Sequence, residues 1–221
     1  MSIFGSLDVY HDELSRSAAV NMAIDEALLE TAETPSIRFY KWDHPALSFG
    51  YFGKFADVAS YVPERDLVRR WTGGGIVFHG DDLTYSIVIP EAAPAFSESP
   101  MSIYEEIHGG LRAALVANGQ SAQLVANGVP KISDSCFANP VRADVLSNGR
   151  KIAGAAQRRT RRGLLQQGSI QGVDLANKFA DQFASELCSN CYHQTLDERL
   201  IARADEIAEQ KYGAASWLQR R

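Results

Sequence analysis

The sequence lacks the features that direct a chain into a membrane, into the secretory route or onto nucleic acid. Its 221 residues hold no apolar run near the roughly 18 residues that a membrane-spanning helix needs. No basic segment followed by an apolar core stands at its start, so we expect no secretory signal. Its net charge of −5 disfavours a general nucleic-acid coat, because such proteins neutralise phosphates with clustered cations. We therefore expect a cytoplasmic protein that binds neither membrane nor nucleic acid.

Cysteine is also scarce, with only Cys136, Cys188 and Cys191 in the chain. An odd number without a secretory signal favours reduced thiols. The spacing of Cys188 and Cys191, with His193 nearby, resembles half of a zinc site. A zinc site needs about four ligands, and no second Cys/His pair occurs elsewhere. We expect no bound metal and ordinary cysteines at a helix end.

Apolar residues make up 45% of the chain, and their spacing predicts its elements. The pair Ser102 and Glu105 predicts the start of a helix in which His108 faces solvent. Aromatic and β-branched residues predict a strand at 37–42 that pairs with one at 46–49. Asn148-Gly149 predicts a tight hairpin between 143–146 and 150–156. The other predicted elements are helices at 17–32, 175–187 and 196–212 and strands at 67–71, 76–78, 84–89 and 163–170.

Helices and groups of strands follow one another without regular alternation. That order favours an α+β fold, with a mixed, mostly antiparallel sheet packed with helices, over a doubly wound one. No repeat, low-complexity tract or linker-like break divides the chain, so we expect a single domain over residues 1–221.

The first stretch that could carry chemistry runs from Arg69 to Gly80 and contains three successive glycines. Glycines reach dihedrals that other residues avoid, and their successive N–H groups can converge on an anion. The pair Arg69-Arg70 before them adds bidentate donors suited to a phosphate or a carboxylate. A glycine-rich hairpin with solvated arginines is the alternative interpretation.

Two further residues are candidates for catalysis. Lys151 follows the predicted hairpin turn and precedes small residues, which leave room for a ligand beside its ammonium group. The alternative is an exposed strand lysine, which would contribute little to stability. Cys136 lies in a polar loop before the hairpin and could accept an acyl group if neighbouring cations lower its pKa. Most single cysteines are instead small buried side chains.

Together these stretches resemble the biotin/lipoate protein ligase superfamily, in its lipoate branch. Arg69-Arg70-x-Thr-Gly-Gly-Gly-Ile-Val-Phe-His79 is similar to the arginine–glycine loop of that family. Gly149-Arg150-Lys151-Ile152-x-Gly154-x-Ala156-Gln157 is similar to its lysine strand. The resemblance covers roughly residues 19–170. It implies the class II synthetase/biotin ligase-like catalytic domain, which agrees with the α+β fold expected above.

The resemblance implies transfer of a lipoyl or octanoyl group to a lysine of a lipoyl carrier domain. Such domains belong to the E2 component of 2-oxoacid dehydrogenases or to the glycine-cleavage H protein. In a lipoate–protein ligase, ATP with Mg²⁺ and lipoate first form lipoyl-adenylate. Lys151 would contact the acyl carbonyl and phosphate, and Arg70 would hold the nucleotide. The other implied binding residues are Gly73, Gly74, Gly75, Ile76, Val77, Phe78, His79 and Gly154.

Two departures from the ligase pattern keep a second reaction open. Many ligases carry a smaller C-terminal accessory domain, for which the segment after Ile170 is short, so a separate accessory subunit or another reaction is implied. Cys136-Phe137-x-x-Pro140 and Asp82-Leu83-Thr84-Tyr85-Ser86 resemble the octanoyltransferases that take octanoate from acyl carrier protein through a cysteine thioester without ATP. Gly75, where those transferases often have arginine, favours the ligase. A non-catalytic lipoate-binding scaffold is a more distant alternative.

Overall fold

A computed structural model of the chain describes residues 2–126 and 140–220. Its helices are α1 (Ala18–Thr31), α2 (Pro100–Ala117), α3 (Phe179–Leu187), α4 (Glu198–Ile207, continued by a π turn at Ala208–Tyr212) and α5 (Ala215–Leu218). Its strands are β1 (Leu7–His11), β2 (Ser36–Tyr40), β3 (Ala46–Phe49), β4 (Asp66–Arg69), β5 (Val77–His79), β6 (Leu83–Pro90), β7 (Gln123–Leu124), β8 (Val145–Ser147), β9 (Arg150–Arg159), β10 (Gly163–Ile170) and β11 (Cys191–Gln194).

Eight of these strands form one large sheet in the order β11-β1-β2-β6-β10-β9-β8-β7. β1 pairs in parallel with both β11 and β2. The other neighbouring pairs, from β2–β6 to β8–β7, are antiparallel. The α+β fold with a mixed, mostly antiparallel sheet is therefore confirmed.

The small sheet contains β4, β3 and β5 in that order, with β3 parallel to β4 and antiparallel to β5. The predicted pairing of 37–42 with 46–49 is wrong, because β2 and β3 belong to different sheets. Both edges of β2 are already occupied, by β1 on one side and by β6 on the other. The chain thus leaves the large sheet after Tyr40 and enters the small one at Ala46.

Helices cover both faces of the large sheet. Side chains alternate along a strand, so Ile37 and Phe39 of β2 pack in the core formed with α2 and α3, whereas Tyr40 packs in the core formed with α1 and α4. Among the residues described, no helix is both long and apolar enough to cross a bilayer.

The hairpin that carries Lys151 forms where its turn residues predict it. Asn148 and Gly149 have φ of 49° and 76°, the left-handed conformation that a two-residue hairpin turn requires. They join β8 to β9, which pair antiparallel. The turn therefore fixes the position of Lys151 at the start of β9.

The predicted start of α2 is displaced by one turn. Ser99 rather than Ser102 is the N-cap, and its Oγ accepts a hydrogen bond from Ser102 N at 3.1 Å. Pro100 follows in the first turn, where its missing N–H leaves no bond unmade. The apolar face predicted for this helix is buried, but the prediction that His108 faces solvent is wrong, because its side chain is fully buried.

Candidate functional site

The loop between β4 and β5 is held by the arginine that precedes it. Arg70 Nη2 donates to Gly73 O at 3.1 Å and to Gly75 O at 2.8 Å. Gly74 between them has a φ of +87°, which favours glycine because it has no Cβ. The carbonyl groups of Gly73 and Gly75 thus both accept from the Arg70 guanidinium.

This loop lies against the strand that carries Lys151. A Cβ built on Gly74 would lie 3.4 Å from the Cβ of Ala156 on β9. Thr72 Oγ1 donates to Gln167 Oε1 on the neighbouring strand β10 at 2.8 Å. The two motifs that the sequence places about eighty residues apart are therefore adjacent in the fold.

The two successive arginines have different partners. Arg70 lines a cleft described below. Arg69 instead donates to backbone carbonyls of the C-terminal segment, Trp217 O at 2.9 Å and Arg220 O at 2.8 Å, and to Gly53 O at 2.6 Å. The prediction of two arginine donors for one anion is therefore wrong for Arg69, whose donors hold the chain's own backbone.

Lys151 is buried in an ion pair. Its Nζ lies 2.7 Å from Asp144 Oδ2, and the side chains are 2% and 0% exposed. A Cβ on Gly154 would stand 2.6 Å from that Nζ, so a residue without a side chain is needed beside the lysine. The alternative of an exposed strand lysine is therefore wrong, and we expect the pair to contribute to stability because breaking a buried ion pair leaves an uncompensated charge.

Sequence analysis missed Asp144 and the tyrosine that supports it. Tyr104 Oη donates to Asp144 Oδ1 at 2.6 Å, and Val141 N donates to Oδ2 at 2.7 Å. Burial, followed by the nearby Asp144 carboxylate, raises the pKa of Tyr104, so its hydroxyl stays protonated and donates. An acidic residue just before the hairpin of Lys151 was the available signal, but only the fold shows that the two side chains meet.

A strained backbone precedes Asp144. Ala143 has a φ of 66°, which is unfavourable for a residue with a Cβ. His108 Nδ1 lies 2.7 Å from Ala143 O, and its Nε2 lies 3.1 Å from Tyr85 Oη. Burial lowers the pKa of His108 to about 4, so the neutral ring donates to Ala143 O and accepts from Tyr85. These contacts hold Ala143 in the conformation that aims Asp144 at Lys151.

A narrow cleft with about 30 Å³ of free volume lies between the glycine loop and small sheet on one side and β9 and β10 on the other. The lining combines apolar walls with a few convergent polar groups, which suits a hydrocarbon chain that ends in a polar head. Its residues are Met22, Tyr40, Trp42, Ser48, Arg70, Val77, His79, Thr84, Gly154, Ala155, Ala156, Gln167, Gly168 and Ser169.

The predicted binding residues divide between two surfaces. Arg70, Val77, His79 and Gly154 line the cleft. Phe78 is instead 36% exposed and packs edge-on against Tyr61, because successive residues of a strand face opposite sides. A second cleft is lined by Phe49, Gly50, Phe52, Gly53, Lys54, Asp57, Val58, Gly74, Gly75 and Ile76. Gly73 lines neither of these clefts.

His79 is held by partners on both ring nitrogens. Its Nε2 lies 2.6 Å from Ser48 Oγ, and its Nδ1 lies 2.8 Å from Asp82 Oδ2. Its ring stacks on Trp42 with centroids 4.1 Å apart. Burial lowers the pKa of His79, and Asp82 opposes that shift. His79 is therefore a neutral ring at the wall of the cleft.

The predictions for the three cysteines have different outcomes. Cys136 lies outside the described residues, so its role stays a prediction. Cys188 is buried at the C-cap of α3, and Cys191 begins β11, both as free thiols. His193 groups with His11 and Asp181, whose ligand atoms lie within 4.8 Å of one another, rather than with the cysteines.

Comparison with known proteins identifies the family of this chain. Residues 17–187 match the family model of the lipoyl protein ligase A/B catalytic domain. The chain is 40% identical over 164 residues to the octanoyltransferase LipM of Oceanobacillus iheyensis, a match that covers 70% of this chain and 60% of that protein. It is 31% identical to the octanoyltransferase LipM of Brevibacillus brevis over 264 residues, covering 93% and 96%.

Two solved structures have a similar fold. Lipoate-protein ligase A bound with ATP gives a TM-score of 0.74 at 20% identity, covering 99% of each chain. A bi-partite lipoate protein ligase from Thermoplasma acidophilum, studied with its E2 lipoyl domain, gives 0.68 at 20% identity, covering 98% of this chain and 96% of that one. The chain belongs to the lipoyl protein ligase A/B catalytic-domain family, and its relatives named above are octanoyltransferases.

Proposed function

We propose that this chain transfers an octanoyl group from a thioester of acyl carrier protein to a lysine of a lipoyl carrier domain. The observation that carries the proposal is the adjacency of two motifs: Arg70 and Gly154 line one cleft with apolar walls, and the buried Lys151–Asp144 pair lies next to Gly154. The relatives named octanoyltransferase support a thioester donor, although the sequence alone favoured ATP-dependent ligation.

The cleft offers what such a substrate needs. Apolar walls such as Trp42 and Val77 would hold the acyl chain, and each buried methylene contributes about 0.8 kcal/mol. The Lys151 ammonium, oriented by Asp144, would then face the carbonyl carbon's developing negative oxygen. Fixed cations are favourable there because they are already in place before the charge appears.

In the proposed reaction the Cys136 thiolate attacks the carbonyl carbon of the octanoyl thioester. The bond to the donor sulfur breaks, and the donor thiolate leaves and takes up a proton, so the octanoyl group is now a thioester of Cys136. The uncharged amine of the carrier lysine attacks that thioester in turn. Its nitrogen loses a proton as the amide forms, and Cys136 leaves as the thiolate.

A second candidate function is ATP-dependent lipoate ligation. The observation that favours it is the second cleft, where the backbone of Gly74 and Gly75 meets Gly53 and Lys54. Glycine backbone with a lysine suits a phosphate group. ATP with Mg²⁺ and lipoate would give lipoyl-adenylate and pyrophosphate, and the carrier lysine would displace AMP. Cys136 would have no step in this reaction.

The test is the intact mass of an apo lipoyl domain, of the E2 or H-protein type, after incubation with the enzyme. One sample receives octanoyl-acyl carrier protein, one receives lipoate with ATP and Mg²⁺, and one receives lipoate alone. We expect an octanoyl group on the carrier in the first sample only. Addition of a lipoyl group in the second sample would contradict the transferase reaction and support the ligase reaction.

Variants separate the remaining outcomes. Cys136→Ala should abolish transfer from the thioester, whereas Cys191→Ala, a half-buried cysteine on β11, should leave it intact. Lys151→Met should abolish transfer from either donor, and Lys178→Met, which changes an exposed lysine, should not. A purified wild-type protein that binds lipoate but transfers nothing in any sample would indicate a scaffold.

A further inference from the structure

Arg70 is tied into a chain of buried polar groups that the reaction above does not use. Its Nη1 donates to Ser48 Oγ at 2.6 Å, while its Nη2 holds the glycine carbonyls. Ser48 is fully buried on β3 and lines the same cleft. The orientation of the Arg70 guanidinium is therefore set on one side by the glycine loop and on the other by Ser48.

The direction of every hydrogen bond in this chain follows from elementary chemistry. A guanidinium can only donate, so Ser48 Oγ accepts from Arg70. A carboxylate can only accept, so the neutral His79 ring donates from Nδ1 to Asp82, and its Nε2 accepts the proton of Ser48 Oγ. His79 Nε2 is then unprotonated, and the ring proton sits on Nδ1 and is donated to Asp82 Oδ2. Each hydrogen bond in this series therefore donates in the same direction, from Arg70 towards Asp82.

Asp82 is the last acceptor in this series of hydrogen bonds, and its carboxylate is held in one orientation. It is 2% exposed, and its Oδ2 also accepts from Thr84 Oγ1 at 2.8 Å and from Ser169 Oγ at 2.6 Å. Its Oδ1 accepts from Gly80 N at 3.1 Å. A carboxylate with this many donors cannot turn, so it fixes the tautomer and the plane of His79.

We propose that Ser48, His79 and Asp82 are positioning residues that orient Arg70 in the cleft, and that the enzyme works only while His79 is neutral. The proposal rests on the proposed function, since Arg70 lines the cleft that is proposed there to hold the acyl chain. It assigns His79 a contact with Ser48 rather than with the acyl donor, and it gives Ser48 and Asp82 a role that the sequence motifs did not indicate.

Protonation of His79 would reverse the central bond. The Nε2–H would then donate to Ser48 Oγ, the same oxygen to which Arg70 donates, and two cations would flank one hydroxyl. The charged groups facing the ring are Asp82, which raises the pKa of His79, and Arg70 and Arg65, which lower it. Arg65 also donates to His79 O at 3.2 Å. The acidic side of the activity profile should therefore follow the ionisation of His79.

The experiment measures kcat/KM for acyl transfer against pH in Ser48→Ala, His79→Gln and Asp82→Asn. Each should fall roughly ten- to a hundredfold, because a misplaced charged group loses much of its effect. His79→Gln should also lose the acidic limb of the profile, and Asp82→Asn should move that limb to lower pH. Controls are His44→Gln and Asp81→Asn, two exposed residues that should change neither quantity. Wild-type rates or an unchanged acidic limb in the folded variants would overturn the proposal.

A measurement on the wild-type protein covers the case in which the variants do not fold. NMR titration of the His79 ring should give the pKa of the acidic limb, and the Arg70 guanidinium signals should shift at the same pH. Arg70 signals that do not follow His79 would overturn the proposal. This coupling is measured without turnover, so a protein that transfers no acyl group would refute the proposed function and leave this test standing.

Discussion

Replacement of Asp144 by asparagine tests the buried ion pair most directly. The change keeps the shape of the side chain but leaves the Lys151 ammonium without its counter-charge at a site where both side chains are at most 2% exposed. The amide also cannot accept from Tyr104 and Val141 together, because one of its two ends now carries hydrogens. Either orientation of the amide therefore sets two donors against each other.

Removing one partner of a buried ion pair typically costs about 3–5 kcal/mol in the free energy of unfolding. For a chain of this size, 1 kcal/mol moves the melting temperature by roughly 2–4 °C, so Asp144→Asn should lower it by about 6–20 °C. Lys151→Met should have a similar effect, because it leaves the carboxylate buried. The double variant should recover much of the loss, since neither charge then remains in the interior.

Thermal and urea unfolding of the four proteins gives the coupling energy of the pair. Glu206→Gln, which breaks the exposed pair with Arg203, is the matched control and should change the melting temperature little. Single variants of Asp144 and Lys151 as stable as the wild type, with a coupling energy near zero, would refute the argument that burial makes this pair strong.

Three further predictions follow from the same region. Gly154→Ala should lower acyl transfer at least tenfold without unfolding the chain, because its Cβ would contact the flexible end of the Lys151 side chain. Gly109→Ala is the control, since Gly109 has open space around it, and equal rates in the two variants would contradict the prediction. His108, whose folded pKa of about 4 lies below its ordinary 6.5, should contribute roughly 3 kcal/mol of stability above pH 6.5 that is lost as pH falls to 4, and His108→Gln should flatten that part of the unfolding profile. Ala143→Gly should keep the melting temperature near that of the wild type while Ala143→Val lowers it, because φ of 66° favours glycine; the reverse order in thermal unfolding would show that the backbone there is not strained.

Sequence patterns predicted the parts of the fold that local chemistry determines. Asn148-Gly149 predicted the hairpin correctly, because its turn needs positive φ values that few residues adopt. The apolar face of α2 lies in the core, as the spacing of its residues indicated. Strand pairing was less accessible, because it depends on which edges other strands have already taken. Nothing within 37–49 reveals that β1 and β6 occupy both sides of β2.

The candidate site shows the same division. The glycine loop and Lys151 stood out because their residue types are unusual in a row, and the fold does bring the two motifs together. Asp144, Tyr104 and His108 did not stand out, because each is an ordinary polar residue until its partner is known. Burial of such groups depends on distant contacts, so it was the property that single-sequence reasoning judged least well, for Lys151 as well as for His108.

The hydrogen bonds from Arg69 to the backbone of Trp217 and Arg220 have a consequence for the cleft. Its neighbour Arg70 lines the cleft, so the backbone of Trp217 and Arg220 is bound one residue away from a side chain of the cleft wall. Any change that releases Trp217 and Arg220 from Arg69 would therefore act on the residue next to Arg70.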